Sequence, residues 1–272
     1  MRRFNSFAKW SQYESFESKL LQDPAALSLK KPKMEAMSRE LRQTAIPVNV
    51  RVSEAVGDVE ALLLRPNDAR SLLVLAHGAG AGMHHPFMER LACELAGFGV
   101  ATFRYQFPYM QQRRGRPDAP ALLTATVQAA VTAASEAASD LLLLAGGKSL
   151  GGRMTSLAFA DGRSTVQAGT APVRGLVFFG FPLHAPGRPG TQRADHLTTV
   201  RLPMLFLQGT RDTFADLTLL RPVCNKLAPP ATLHEVDAAD HSFHVLKRSG
   251  TTDAAVIADL ARTVASWANA LV

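Results

Sequence analysis

The sequence is short of cysteine, of tryptophan and tyrosine, and of long apolar runs, and these shortages exclude whole classes of protein. Only Cys93 and Cys224 occur in 272 residues. They lie far apart inside helix-like segments, which is not the framework that staples small secreted domains, so a reducing compartment is expected. No stretch holds the 18 or so consecutive apolar residues that cross a bilayer, and the opening MRRFNSFAKWSQYESF lacks the apolar run of a signal peptide. The sequence therefore predicts a cytoplasmic chain with no membrane association.

Acidic residues are scarce only at one end. Overall 30 Lys and Arg face 23 Asp and Glu, a net charge of +7. Residues 1–51 carry ten basic against five acidic side chains, or +5, which leaves 20 against 18, or +2, for the rest. The basic residues are scattered rather than clustered, so no nucleic-acid partner is expected. Phe4, Phe7, Trp10, Tyr13 and Phe16 recur at every third position, a spacing that drifts around a helix and makes no single narrow face. Residues 1–44 are thus read as a basic, poorly ordered extension, and residues 45–272 as one domain.

What the chain does have is a 47% hydrophobic content, enough for a sizeable core. From Ile46 onward, short apolar runs alternate with longer helical patterns. The strand candidates are VNVRV, EALLLRP, SLLVLAHG, VATFRY, LLLLAG, GLVFFGF, PMLFLQGT and ATLHEV. This alternation predicts an α/β fold whose central sheet of about eight strands is mostly parallel, with helices on both faces. Val256, Leu260, Val264, Trp267 and Leu271 step by four, four, three and four, which marks a closing helix with one apolar stripe.

The segment LLLLAGGKSLGGRM admits two chemistries. A phosphate-binding loop needs Gly-x4-Gly-Lys-Ser, but Leu142 occupies the position of the early glycine. The dinucleotide fingerprint also fails, because Met83 stands where Gly78-x-Gly80 would require its third glycine. No cofactor and no metal is expected. The other pattern, Gly-x-Ser-x-Gly, is met by Gly147 to Gly151 between a buried strand and a helix start, the setting of a nucleophile elbow. There Ser149 is the nucleophile, and the Leu150 amide faces the reacting oxygen. The loop HGAGAG after the third strand supplies a second oxyanion donor through Ala79.

A nucleophilic serine needs a base and a group to orient it, in the order Asp then His in this fold. Asp212 follows the strand PMLFLQG, and His241 follows ATLHEV. His244 is the nearest rival as base, and His234 is read as structural. Asp237 and Asp240 rival Asp212 as the acid. Two further loops at the same sheet edge are basic, FPYMQQRRGRPD and FPLHAPGRPGTQR, so Arg114, Arg188 and His184 are assigned to substrate binding.

With these segments in hand the chain resembles an α/β-hydrolase, and within that superfamily it is similar to bacterial proteins related to dienelactone hydrolases. Its HGAGAGMHHPFM, FRYQFPYM, GGKSLGGRM, GFPLHAPGRPG, QGTRD and DHSFHV segments also resemble a family whose eukaryotic relatives include a testis-expressed hydrolase-like protein and a subunit of a chromatin acetyltransferase complex. The resemblance implies the triad Ser149, Asp212 and His241, and implies no substrate. The function expected is a serine hydrolase cleaving a small carboxylic ester or thioester, with an anionic one in view. The rival is a non-catalytic binding or assembly module that keeps the fold. The segment from Leu183 to Val200 is too short for a large helical lid.

Overall fold

A computed structural model describes residues 45–160, 171–229 and 231–271. The expectation for residues 1–44 lies outside the described residues. Eight strands form one sheet: β1 (Ile46–Ser53), β2 (Gly57–Leu64), β3 (Ser71–Ala76), β4 (Val100–Tyr105), β5 (Leu142–Lys148), β6 (Val173–Phe179), β7 (Met204–Gly209) and β8 (Thr232–Val236). Their order across the sheet is β1-β2-β4-β3-β5-β6-β7-β8. β2 runs antiparallel to both β1 and β4, and every pair from β4 to β8 is parallel. All eight runs picked out by hydrophobicity are strands, and the central ones, β3 and β4, are buried along their whole length. Burial on both faces is why they read as continuous apolar runs rather than as alternating ones.

Helices flank the sheet: α1 (Pro86–Gly97), the single turn α2 (Pro108–Gln111), α3 (Pro120–Ala137), α4 (Leu150–Ala158), α5 (Leu217–Lys226) and α6 (Asp253–Asn269). Two hydrophobic clusters form, one for each face. The first includes Leu123, Val127 and Val131 of α3 with Met154 of α4, packed with Phe103, Phe178 and Phe206. The second includes Leu91 and Leu95 of α1 with Leu260 and Val264 of α6, packed with Leu73, Leu144 and Leu205. In α3, Ala130 and Ala134 are fully buried, so a small side chain lets this helix lie close to the strands. The apolar stripe of α6 is as the spacing predicts, although the helix ends at Asn269 and Leu271 lies past it. Gly175 makes this packing feasible, because a Cβ there would lie 2.5 Å from the Trp267 ring.

The parallel strands all point their carboxyl ends to one edge, where loops can converge on a site. Among the described residues no helix is long and apolar enough to cross a membrane, and no group of three or more His, Cys, Asp or Glu side chains is placed to hold a metal.

Candidate active site

β5 runs through Lys148 and α4 begins at Leu150, so a single residue, Ser149, makes the whole turn from strand to helix. There is no room for a phosphate-wrapping loop. Ser149 has φ 50° and ψ −115°, a left-handed conformation that L side chains rarely adopt, at a cost on the order of 1–3 kcal/mol. The turn is held from several sides. The Ser149 amide donates to the Phe179 carbonyl at the end of β6 (3.0 Å), and the Arg153 amide donates back to the Ser149 carbonyl (3.1 Å). The two flanking glycines are required by close approach: a Cβ on Gly147 would lie 2.6 Å from the Gly151 carbonyl carbon, and one on Gly151 2.6 Å from the carbonyl oxygens of Ala76 and His77.

The same crowding brings the loop after β3 against the elbow. A Cβ on Gly78 would lie 3.8 Å from the Ser149 Cβ, and Ala79 follows it, exposed at the edge. Leu150 is the first helical residue of α4, so its amide has no partner within the helix. His77, buried in this loop, was given no role from the sequence. Its Nδ1–H donates to the Gly78 carbonyl (2.8 Å) and its Nε2 accepts from the Phe107 amide (3.1 Å). Burial pulls its pKa down to about 4, so a neutral imidazole ties the loop after β3 to the loop after β4.

His241 and Asp212 reach the serine from the ends of β8 and β7. The Ser149 hydroxyl and His241 Nε2 are 2.9 Å apart, and His241 Nδ1 and Asp212 Oδ2 are 2.7 Å apart. An ionised carboxylate only accepts, so Nδ1 carries the imidazole proton and Nε2 is left to accept from the serine hydroxyl. The Asp212 side chain is fully buried. It also accepts from Gln208 Nε2 (2.5 Å, to Oδ2) and from the Phe214 amide (2.8 Å, to Oδ1). The Phe214 ring packs on the imidazole with centroids 4.3 Å apart. Neither Gln208 nor Phe214 carries a motif that would single it out in sequence.

The rival side chains are engaged elsewhere. His244 pairs with Asp253 at the start of α6 (2.9 Å), and His234 with Asp259 of the same helix (2.7 Å). Asp240 accepts from the amides of Ser242 (2.8 Å) and His244 (3.0 Å), which forms the turn that presents His241. Asp237 lies 3.4 Å from the Thr210 hydroxyl. A second serine–histidine contact joins Ser156 Oγ and His196 Nε2 at 2.7 Å. Ser156 is buried in α4 and its hydroxyl donates to the Arg153 carbonyl (2.8 Å), so its one proton is already committed.

The alpha/beta hydrolase domain family matches this sequence over residues 69–269. The chain belongs to that family. Solved α/β-hydrolase structures superpose on most of it. A dienelactone hydrolase from Anabaena variabilis has a TM-score of 0.62 at 21% identity, over 82% of this chain and 96% of its own. An alpha-beta serine hydrolase homologue from Coxiella burnetii gives 0.61 at 18% identity, over 82% and 95%. A serine hydrolase without a lid, from Xanthomonas campestris, gives 0.60 at 16%, over 82% and 94%. At these identities the likeness is one of fold. None of the three bears on the narrower resemblance to the testis-expressed and chromatin-associated proteins.

Within this α/β-hydrolase domain, two of the three side chains assigned to substrate binding have hydrogen-bond partners within the protein. Arg114 donates to Asp118 Oδ1 (2.5 Å) and Gln112 Oε1 (2.9 Å), while the other oxygen of Asp118 accepts from the Tyr109 amide (2.9 Å). The arginine therefore staples the turn after α2. Both ring nitrogens of His184 are occupied: Nδ1–H donates to the Ala185 carbonyl (2.9 Å), and Nε2 accepts from the Asp216 amide (2.9 Å). Arg188 is exposed. In sequence these residues sit on loops at the right edge, and nothing there announces the partners that Arg114 and His184 have.

Lys148, the unspecified residue of the elbow pattern, also has no role assigned from the sequence. Gly180 (φ 64°) marks where its side chain ends: a Cβ there would lie 3.1 Å from Lys148 Nζ, 3.5 Å from Asp212 Oδ2 and 3.5 Å from His241 Nδ1. The ammonium lies 5.6 Å from the centre of the Phe243 ring. Burial pulls its pKa down to about 8 from 10.5, opposed by the carboxylates of Asp212 and Asp240. The folded chain therefore binds fewer protons than the unfolded chain between those two values, and stability rises with pH across that window. The charged ammonium costs stability below about pH 8, and the cost fades towards 10.5. Lys148→Met is expected to melt above the wild-type chain at pH 7, with the difference narrowing by pH 10. Melting curves of both proteins at the two pH values check this, and an equal gain at both contradicts it.

Proposed function

We propose that this protein is a serine hydrolase that cleaves small carboxylic esters or thioesters through an acyl-enzyme. The observation that carries the reading is the continuous hydrogen-bonded chain from Ser149 through His241 to a fully buried Asp212, built on a serine held at φ 50°. In this scheme His241 Nε2 removes the hydroxyl proton as Ser149 Oγ bonds to the substrate carbonyl carbon. The Leu150 and Ala79 amides receive the oxyanion, with the positive end of α4 behind the first of them. Asp212 stabilises the imidazolium, which then gives its proton to the departing alkoxide or thiolate as the carbonyl–heteroatom bond breaks. A water molecule, deprotonated by the same imidazole, attacks the acyl carbon; the acyl–Oγ bond breaks, the acid leaves, and the imidazolium returns its proton to Ser149 Oγ.

Apart from substrate and water, every group in this scheme belongs to the chain, and no step calls on a cofactor. Pre-steady-state hydrolysis of 4-nitrophenyl acetate tests the reading. A burst of 4-nitrophenolate equal to the protein concentration, followed by a slower steady rate, is expected of an acyl-enzyme. Background hydrolysis with no burst and no steady-state acceleration removes the reading and leaves a binding module with this fold.

A further inference from the structure

Arg153 lies one turn into α4, with its amide bonded to the Ser149 carbonyl. It is half-buried, and its Nε is cut off from solvent with no hydrogen-bond partner. Among the described residues no carboxylate pairs with it. Burial and the like charge of Arg193 both pull its pKa below the ordinary arginine value. Arg193 is itself half-buried, in the first turn of the 3-10 helix Gln192–Thr199, and likewise has no carboxylate partner among the described residues.

The topology places this pair at the nucleophile's end of α4. Helix α4 descends from the carboxyl edge, beginning just after Ser149. The chain after β6 leaves the same edge at Gly180, passes through the 3-10 helix and enters β7 from the opposite edge at Met204. The two helices therefore descend side by side. The contact between Ser156 and His196 fixes their register. Three residues earlier on each, one rung nearer Ser149, lie Arg153 and Arg193, close enough for the charge of the second to act on the first.

A guanidinium whose Nε is shut off from water, beside a second arginine and with no carboxylate partner among the described residues, is stabilised by an anion with two or more oxygens. The amino end of α4 adds to the positive potential there. We propose that Arg153 and Arg193 form an anion subsite beside Ser149 that receives a carboxylate or phosphate group of the substrate. This rests on the serine-hydrolase reading, and it narrows the substrate class to anionic esters or thioesters.

Two matched pairs test it on the full chain: 4-nitrophenyl hemisuccinate against 4-nitrophenyl valerate, and acetyl-coenzyme A against S-acetyl-N-acetylcysteamine. At low salt, kcat/KM is expected to favour the charged member of at least one pair. Preference in the first pair assigns a carboxylate on the acyl side, and preference in the second a phosphate on the thiol side. Arg153→Met and Arg193→Met should each lower that charged-to-neutral ratio by about tenfold or more, the scale of one charge-assisted contact. Arg153→Lys should restore only part of it. Ratios that neither methionine variant moves overturn the subsite, and if Arg153→Met does not fold, Arg193→Met decides.

Titration calorimetry with succinate and with inorganic phosphate separates the two readings. Binding to Ser149→Ala that is lost when Arg193→Met is added supports the subsite without any turnover. Such binding, together with no hydrolysis of any ester, keeps the subsite and removes the hydrolase. Hydrolysis of the neutral esters with no charge preference and no anion binding does the reverse.

Discussion

Replacing Ser149 with alanine is expected to lower ester or thioester hydrolysis by up to roughly 10⁶-fold, the scale for losing the nucleophile of a tuned triad. The melting temperature should scarcely move. The strain at this position lies in the backbone, which alanine must adopt as serine does, and the hydroxyl contributes only its bond to His241. Ser149→Gly separates the two properties. Glycine accepts φ 50° without a Cβ penalty, so this variant should be as inactive as the alanine one yet more stable than it, by about 1 kcal/mol. Hydrolysis assays and thermal denaturation on the three proteins check the pair of outcomes. An alanine variant that retains a tenth of the activity would mean that another residue attacks.

Asp212→Asn is expected to cost on the order of 10⁴-fold in kcat, the scale for losing the orienting carboxylate of a Ser-His-Asp triad. Every neighbour of this carboxylate is a donor: His241 Nδ1–H and Gln208 Nε2 on one oxygen, the Phe214 amide on the other. An asparagine must turn its NH₂ towards one of those two groups of donors. If its oxygen stays with the Phe214 amide, the NH₂ donates to Nδ1 and drives the proton to Nε2. The histidine then presents a donor to the serine hydroxyl and no longer a base. Steady-state kinetics should show the fall in kcat with a much smaller change in KM. A loss of less than tenfold would mean that Asp212 does not set the tautomer.

How much of this was legible in the sequence depends on how local each constraint is. The strands were legible because each is a run of apolar residues bounded by turns, and the central ones carry no alternation because both faces are covered. The elbow was legible because its geometry is enforced within five residues, by the glycines at 147 and 151. The side chains that support His241 were not. Gln208 lies in a strand as one polar residue among apolar ones, and Phe214 reads as an ordinary loop aromatic; they are four and two residues from Asp212, and only the fold brings this group to His241, 29 residues on from Asp212.

Arg114 and His184 show the opposite difficulty. Their loops do lie at the carboxyl edge, but Asp118, four residues from Arg114, and the amide of Asp216, 32 residues from His184, are partners that no motif announces. Arg193 is legible as one of the arginines of the basic loop FPLHAPGRPGTQR, whereas Arg153 reads only as a residue of the helix after the elbow. That neither has a carboxylate partner among the described residues is visible only once α4 and the 3-10 helix are laid side by side.

The central claim is that Ser149 is a nucleophile activated by His241, and it is tested most directly by labelling with a fluorophosphonate probe at neutral pH and mapping the modified peptide. The account predicts one phosphonylated residue, Ser149, with labelling lost in both Ser149→Ala and His241→Ala and retained in His244→Ala and Ser156→Ala. A folded wild-type protein that takes up no probe, or a label found on Ser156, would contradict it.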